Sequence, residues 1–595
     1  MEIKERVQAL RELMKEHEVE AYLIPSTDPH SSEYVPECWQ RRKWISGFTG
    51  SAGDVVITSD QGGLWTDGRY FIQAEEQLRG SGIDLYKMLM PDTPKLEDWI
   101  GDQLEEGQYL GVDPRVLSVD GAKKLDKKLS EKGVGIRYID RNLVDEIWED
   151  RPKPSKTPVR VLDDEITGEA IEDKFSRIRE KMEKEDVRAH VLSSLDTIAW
   201  TLNMRGSDVD YNPVFISYMV VETGSVHLFI DGDKITEEAK EHLDGVVELH
   251  GYDEVGPYLN KISEQEIGIW LDPRTANKWI HNQLKGKPRF HMDRSPVTDF
   301  KARKNEVELS GIREAHIRDG VAMVKFLKWL RDEVQNGEVS ELSAAEKLEG
   351  FRSQQDDFVG PSFETISGFK EHGAIIHYAA SEESNAPIKG RGIYLVDSGG
   401  QYLMGTTDIT RTVCFGEPTD EEKEMFTRVL KGHIGLATLK FPKGFSGKQI
   451  ELPARKSLWD AGKNYNHGTG HGIGHYLNVH EGPMGITPRD TGVPLDSGMV
   501  LSNEPGYYKE GGYGIRIENI VFIREEEELS SDELTFLCFD TITLCPIDNR
   551  LIDVDMLTKE ELEWLNLYHY RVREMLSPRL EGDDLEWLKE STKPL

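Results

Sequence analysis

The residues from Asn466 to Pro483, NHGTGHGIGHYLNVHEGP, set His467, His471, His475 and His480 among Gly468, Gly470, Gly472 and Gly474. Glycine lets backbone and imidazoles crowd one small ligand, and such a composition suits a metal site. Two acidic residues upstream and two downstream are spaced to meet it. Asp397 and Asp408 lie in YLVDSGGQYLMGTTDITRTVCF, two runs of aliphatic and β-branched residues joined at Ser398-Gly399-Gly400. This pattern predicts a β-hairpin with one carboxylate on each run. Glu504 closes the apolar run MVLSNEP, where an acidic side chain needs a partner. Glu518 lies in GIRIENIVFI, whose alternation predicts a single strand with Arg516, Glu518 and Ile520 on one face.

Four carboxylates and one imidazole suit hard divalent ions such as Mn²⁺ better than thiolate-seeking metals. Four clustered anions repel one another. Two dications about 3.5 to 4 Å apart would neutralise them and clamp a water between them, so the set predicts a dinuclear centre.

The ordered set Asp397, Asp408, His471, Glu504, Glu518 resembles the dinuclear site of the pita-bread metallopeptidases, which include methionine aminopeptidase, prolidase and aminopeptidase P. The stretches HGTGHGIGHYLNVHEGP, GAIIHYAA ahead of the first Asp, and NEPGYY are similar to those of the Xaa-Pro aminopeptidases in particular. The resemblance implies two related N-terminal α/β domains followed by a pita-bread catalytic domain, acting on peptides with proline at position two. It implies that Asp397 chelates one ion, that His471 and Glu504 serve the other, and that Asp408 and Glu518 bridge both. A bridging hydroxide would attack the scissile carbonyl while Glu504 moves its proton to the leaving nitrogen. His377, His467 and His480 would hold the tetrahedral intermediate or the proline side, and Arg516 would pair with a ligand carboxylate. A homodimer is expected on the same analogy.

Two rivals stand beside this reading. Prolidase cuts only dipeptides, and three domains rather than that enzyme's usual two favour the aminopeptidase. A metal-free pita-bread module that binds peptides is opposed by the presence of all five ligand types. His475 falls outside the transferred pattern and is expected to be structural. The glycine-rich run is no dinucleotide fingerprint, because Ile473 stands at the third glycine of GxGxxG, and His480-Glu481 lacks the second His of HExxH.

Length and composition agree with this reading. A chain of 595 residues predicts three or four domains with full cores. Its 73 Lys and Arg against 108 Asp and Glu give a net charge of −35, which repels phosphate backbones and argues against nucleic acid as a partner. The four cysteines, Cys38, Cys414, Cys538 and Cys545, are scattered without CxxC spacing, which fits a reducing compartment. The N-terminal MEIKERVQALRELMKEHEVEAYLIP is charged throughout and lacks the apolar core of a signal peptide. No apolar run reaches membrane-spanning length, so a cytoplasmic location without a membrane partner is expected.

In chain order, Val7, Leu10, Leu13 and Met14 predict a helix before the strand EAYLIP, with strands following at GDVVITSD and GGLWTDGRYF. The order recurs with a helix carrying Phe175, Ile178 and Met182, a strand at AHVLSS, a helical LDTIAWTLNMRG and strands at VFISYMVV and SVHLFIDGDKI. Two related α/β domains are expected, 1–155 and 156–299, joined by the proline-rich RPKPSKTPV. The catalytic domain spans 300–595. It opens with a long helix running to about Gln335 and has a capping box at Thr419-Asp420-Glu421-Glu422. It ends in an amphipathic helical extension packed through Leu562, Leu565, Tyr568 and Met575.

Overall fold

The computed structural model describes residues 1–286 and 288–595. The chain divides into two compact units, Met1–Leu162 with Glu169–Val297, and Asp163–Gly168 with Thr298–Leu595.

In the first unit, the strands of one sheet lie in the order Asp84–Lys87, Gly62–Thr66, Asp54–Thr58, Ala21–Ile24, Tyr109–Val112, Gly135–Tyr138. A second sheet repeats the pattern with Glu248–His250, Val226–Ile230, Ser217–Glu222, Ala189–Leu192, Gly268–Leu271 and Arg289–Met292. In both sheets the three central strands pair antiparallel and the outer pairings are parallel. A shared strand order with shared pairing sense makes the two domains related. Each is preceded by an amphipathic helix. Ile3–Glu16 buries Val7, Leu10 and Met14, and Ile171–Lys184 buries Ile171, Phe175, Ile178 and Met182, the spacing that keeps one helical face inward. Buried His30 joins the two domains, one ring nitrogen 2.9 Å from the Ser193 carbonyl and the other 2.8 Å from the Tyr252 hydroxyl. Residues 151–159 carry neither helix nor strand, as three prolines without free N–H groups require.

The second unit is an α+β domain. Helix Glu306–Glu333 starts at a capping box in which Asn305 and Glu308 exchange hydrogen bonds with each other's backbone N–H. Its apolar residues Met323, Phe326, Leu327 and Leu330 form a core with Tyr394 and Val396 of strand Gly392–Ser398. That strand pairs antiparallel with Ile366–Phe369 on one side and Ile409–Phe415 on the other. The capping box at Thr419 starts helix Asp420–Ala437, whose Met425, Phe426, Val429 and Leu430 share a core with Tyr507, Tyr513 and Ile515 of the antiparallel ladder Gly506–Lys509 with Tyr513–Arg516. In a further antiparallel group, Asn519–Glu525 lies between Val500–Asn503 and Phe536–Thr541.

Three local expectations are corrected. The Asp397 and Asp408 strands do pair, with Ser398 opposite Ile409, but they are not joined by a tight Ser398-Gly399-Gly400 turn. Residues 399–408 leave the sheet, and Gly400–Tyr402 forms its own ladder with Gly405–Thr406 and with Phe358–Pro361. Arg516 and Glu518 do not share one continuous strand. Tyr513–Arg516 ends one ladder and Asn519–Glu525 begins another, with the chain turning from sheet to sheet at Ile517 and Glu518. In helix Lys559–Leu576 the packed face is Leu565, Tyr568, Val572 and Leu576, while Met575 is exposed, since it falls at the margin of that face.

Candidate metal centre

Four chain segments meet in the second unit. The antiparallel register sets Asp397 opposite Thr410, so Asp397 and Asp408 leave from the same end of neighbouring strands. His471 comes from the short ladder Gly470–His471 with Gly485–Ile486. Glu504 follows strand Val500–Asn503, and its backbone N–H donates to the Thr469 carbonyl at 2.8 Å, which ties the histidine segment to the glutamate. Glu518 is held by its own N–H on the Thr410 carbonyl at 3.2 Å. Gly470 permits this crowding, because a Cβ there would stand 2.0 Å from the Ser502 carbonyl oxygen.

One ligand atom each of Asp408, His471 and Glu518 lies within 4.8 Å of the others. His471 Nε2 is 3.4 Å from Asp408 Oδ2 and 3.5 Å from Glu504 Oε1. Its Nδ1 lies 3.0 Å from the Gly472 carbonyl oxygen, so that nitrogen carries a proton and Nε2 is the atom presented to the carboxylates, as a metal-binding imidazole requires once Nε2 is deprotonated. Asp397 Oδ1 and Asp408 Oδ1 are buried with no hydrogen-bond partner among the described residues. Buried orphan carboxylate oxygens beside an oriented imidazole nitrogen are the donor set that divalent cations satisfy.

The electrostatics agree. Burial raises the Glu504 carboxyl to about 6, with Asp408 and Asp397 adding to the rise against His471 and Arg516. Burial and the charges of Asp408, Asp397 and Glu504 push Glu518 well above the carboxylate range. Burial likewise raises Asp397, against the opposing charge of Arg516. Burial alone would lower His471, but Asp408 and Glu504 outweigh it and raise it to about 9. Without cations the cluster therefore holds protons, because its charges cannot all ionise in a buried space.

Arg516 is buried and donates to Asp397 Oδ2 at 2.5 Å, to Tyr508 Oη at 2.6 Å and to Thr410 Oγ1 at 3.1 Å. His467 approaches Glu504 Oε2 at 3.8 Å through Nδ1, which also lies 2.7 Å from the Gly468 carbonyl, and its Nε2 is 2.9 Å from Tyr508 Oη. The His480 ring meets the His471 ring edge-on at 4.3 Å. His377 is half-buried in the turn after helix Lys370–Ala374, which is pressed against strand Tyr513–Arg516 so tightly that a Cβ on Gly514 would stand 1.7 Å from the Gly373 carbonyl oxygen. His475 is buried and faces Glu308, at 4.0 Å.

Three contributors escaped the sequence reading. Thr410 donates through its hydroxyl to Glu518 Oε2 at 2.8 Å, Tyr508 links His467 to Arg516, and fully buried Arg411 donates to the backbone carbonyl of Glu518 at 2.7 Å. Thr410 and Arg411 follow Asp408 in one strand, and Tyr508 belongs to NEPGYY, so adjacency to the ligands was the available signal.

This fold and this site define a metallopeptidase of the pita-bread type, and the chain belongs to metallopeptidase family M24, whose model matches residues 310–525. The creatinase/prolidase N-terminal domain matches twice, over 6–140 and 150–308, and the C-terminal region of the family over 535–595. Within the family its similarity runs to the Xaa-Pro aminopeptidases. A probable Xaa-Pro aminopeptidase P of Laccaria bicolor is 45% identical over 99% of this chain and 93% of its own length. Xaa-Pro aminopeptidase 1 of Dictyostelium discoideum is 43% identical over 100% and 97%. The crystal structure of X-prolyl aminopeptidase from Caenorhabditis elegans, described as a cytosolic enzyme with a di-nuclear active site, superposes with a TM-score of 0.96 at 40% identity, covering all of both chains.

Proposed function

We propose that the protein is a metal-dependent aminopeptidase that hydrolyses the bond between an N-terminal residue and a penultimate proline. The observation that carries this reading is His471 Nε2 directed at Asp408 and Glu504 amid buried carboxylate oxygens that lack partners among the described residues. Asp397, Asp408, His471, Glu504 and Glu518 would hold two divalent cations. Mn²⁺ suits this oxygen-rich set best. When bound, the two cations lower the pKa of a shared water and polarise the scissile carbonyl.

The remaining steps belong to the chain. Glu504, which reaches the His471 and His467 rings, would take a proton and return it to the leaving proline nitrogen. His480, packed edge-on against His471, supplies a donor for the carbonyl oxygen as it gains charge, and His467, beside Glu504, helps to position that carboxylate. Tyr508 fixes the His467 tautomer. Its hydroxyl accepts from Arg516 and so donates to His467 Nε2, leaving the proton on Nδ1. The bond cleaved is a tertiary amide without N–H, so recognition rests on shape, and His377 with His480 is assigned to the proline side.

Turnover of Arg-Pro-Pro, Arg-Ala-Pro, the dipeptide Arg-Pro and acetyl-Arg-Pro-Pro tests the reading. Cleavage of the first with little of the others is expected. Equal rates on Arg-Ala-Pro would remove the proline assignment, and exclusive cleavage of the dipeptide would make the enzyme a prolidase.

We also propose domain limits of 1–155, 156–299 and 300–595, a cytoplasmic location, supported by four buried free cysteines, and a homodimer, which light scattering at micromolar concentration would test. Among the described residues no helix is long and apolar enough to cross a membrane.

A further inference from the structure

In the first unit, away in sequence from every residue of the proposed active site, the parallel pairing of Val226–Ile230 with edge strand Glu248–His250 sets His227 opposite Glu248 and Phe229 opposite His250. Side chains two apart in a strand share a face, so His227, Glu248 and His250 rise from one side of the sheet. His227 Nδ1 is 3.0 Å from His250 Nε2 and 3.4 Å from Glu248 Oε2. A tetrahedral ion with ligand bonds of about 2.0 to 2.1 Å sets neighbouring ligand atoms about 3.3 Å apart, and both distances fall close to that edge. We propose that His227, Glu248 and His250 form a second, separate site for a borderline transition-metal dication such as Zn²⁺, with its fourth position open to solvent.

The other nitrogen of His227 supports this assignment. Nε2 lies 2.9 Å from Ser225 Oγ, and a proton there, donated to the hydroxyl, leaves the Nδ1 lone pair facing Glu248 and His250. Two imidazole nitrogens and a carboxylate oxygen then converge as acceptors. One ring proton on His227 could satisfy only one of the two neighbours well, whereas a cation satisfies all three. The rings are braced on both sides, His250 stacked on Phe229 at 4.9 Å and His227 against Tyr258 at 4.6 Å, which limits the ordering cost of binding. Glu248 is largely exposed and gives the ion access. Of the other charges around His227, Glu222 favours a cation and Lys261 opposes one.

The test uses the full chain with its active-site metals loaded. Zn²⁺ is titrated against a chromophoric chelator in wild type, His250→Ala and Glu248→Gln, with circular dichroism to confirm folding. Wild type should take up one more Zn²⁺ per chain than His250→Ala, and Glu248→Gln should bind that extra ion at least about tenfold more weakly. Peptidase turnover should match in all three. Equal Zn²⁺ uptake by wild type and the exposed-carboxylate variant Glu248→Gln at every concentration would overturn the site, even if His250→Ala failed to fold.

Discussion

Arg516 donates to Asp397 Oδ2 at 2.5 Å with both side chains buried, so one carboxylate oxygen is fixed and the other, Oδ1, is left buried without a hydrogen bond among the described residues. The pair thereby orients the carboxylate as well as offsetting its charge. Lysine has neither the reach nor the planar fork to hold Asp397, Thr410 and Tyr508 together. Arg516→Lys should reduce turnover by about 10- to 100-fold with the fold intact, the usual cost of losing a ligand's outer partner. Wild-type kcat in a well-folded variant would show that the pair orients nothing.

Asp408→Asn should abolish turnover and lower metal content while leaving secondary structure unchanged. Its Oδ2 is 3.4 Å from His471 Nε2, its Oδ1 is buried without a hydrogen bond, and a neutral amide is a weaker ligand in that position. Metal analysis beside peptidase assays checks this. Full metal occupancy with normal turnover would remove Asp408 from the centre.

The protonation of the cluster makes the effect of chelation depend on pH. In the metal-free protein, folding raises Glu504 from 4.5 to about 6 and His471 from 6.5 to about 9. Both bind protons more tightly when folded, so their contribution is complete below the unfolded values and is lost as pH rises, Glu504 over the lower window and His471 over the upper. Cation binding requires His471 to release its proton, so it strengthens over the same upper range. The difference in Tm between loaded and chelated protein should widen from pH 6 to pH 9. A constant gap would mean that His471 is not a ligand.

The strands, the helices with 3–4 spacing and the capping boxes at Asn305 and Thr419 were legible because each depends on residues within a few positions of one another. The five proposed ligands were legible as acidic residues in apolar runs and as imidazoles among glycines, where burial has a cost that calls for a partner. The excursion at 399–408 was not. Its short ladder depends on Phe358–Pro361, some forty residues away, and local turn chemistry at Ser398-Gly399-Gly400 pointed to a tighter connection. Strand alternation hid the break at Ile517 and Glu518, because the residues on either side belong to different ladders. Arg411 was invisible for a related reason, since none of its hydrogen bonds goes to a carboxylate and several partners come from more than a hundred residues downstream.

Arg411 also carries the most demanding prediction. Its guanidinium donates to the carbonyls of Thr410, Glu518, Pro546 and Cys545, to Asn519 Oδ1 and to Tyr568 Oη, all between 2.7 and 3.1 Å. One side chain thus ties the strand after Asp408, the backbone of Glu518 and helix Lys559–Leu576. Lysine, a point donor on a flexible stem, cannot span these acceptors, and each buried group left unsatisfied costs about 1 to 3 kcal/mol. Arg411→Lys should therefore lower the unfolding free energy by several such increments and also reduce turnover, because the Glu518 backbone loses its anchor. Tyr568→Phe removes a single hydroxyl from the far side of the same clamp. It should lose about 1 to 3 kcal/mol of stability while keeping most of its turnover, as Arg411 retains five other acceptors. Denaturant unfolding paired with kcat on both variants separates the effects. A stable Arg411→Lys with normal kcat would show that the clamp does not position Glu518, and a Tyr568→Phe as damaged as Arg411→Lys would place the anchor on the helix instead of the guanidinium.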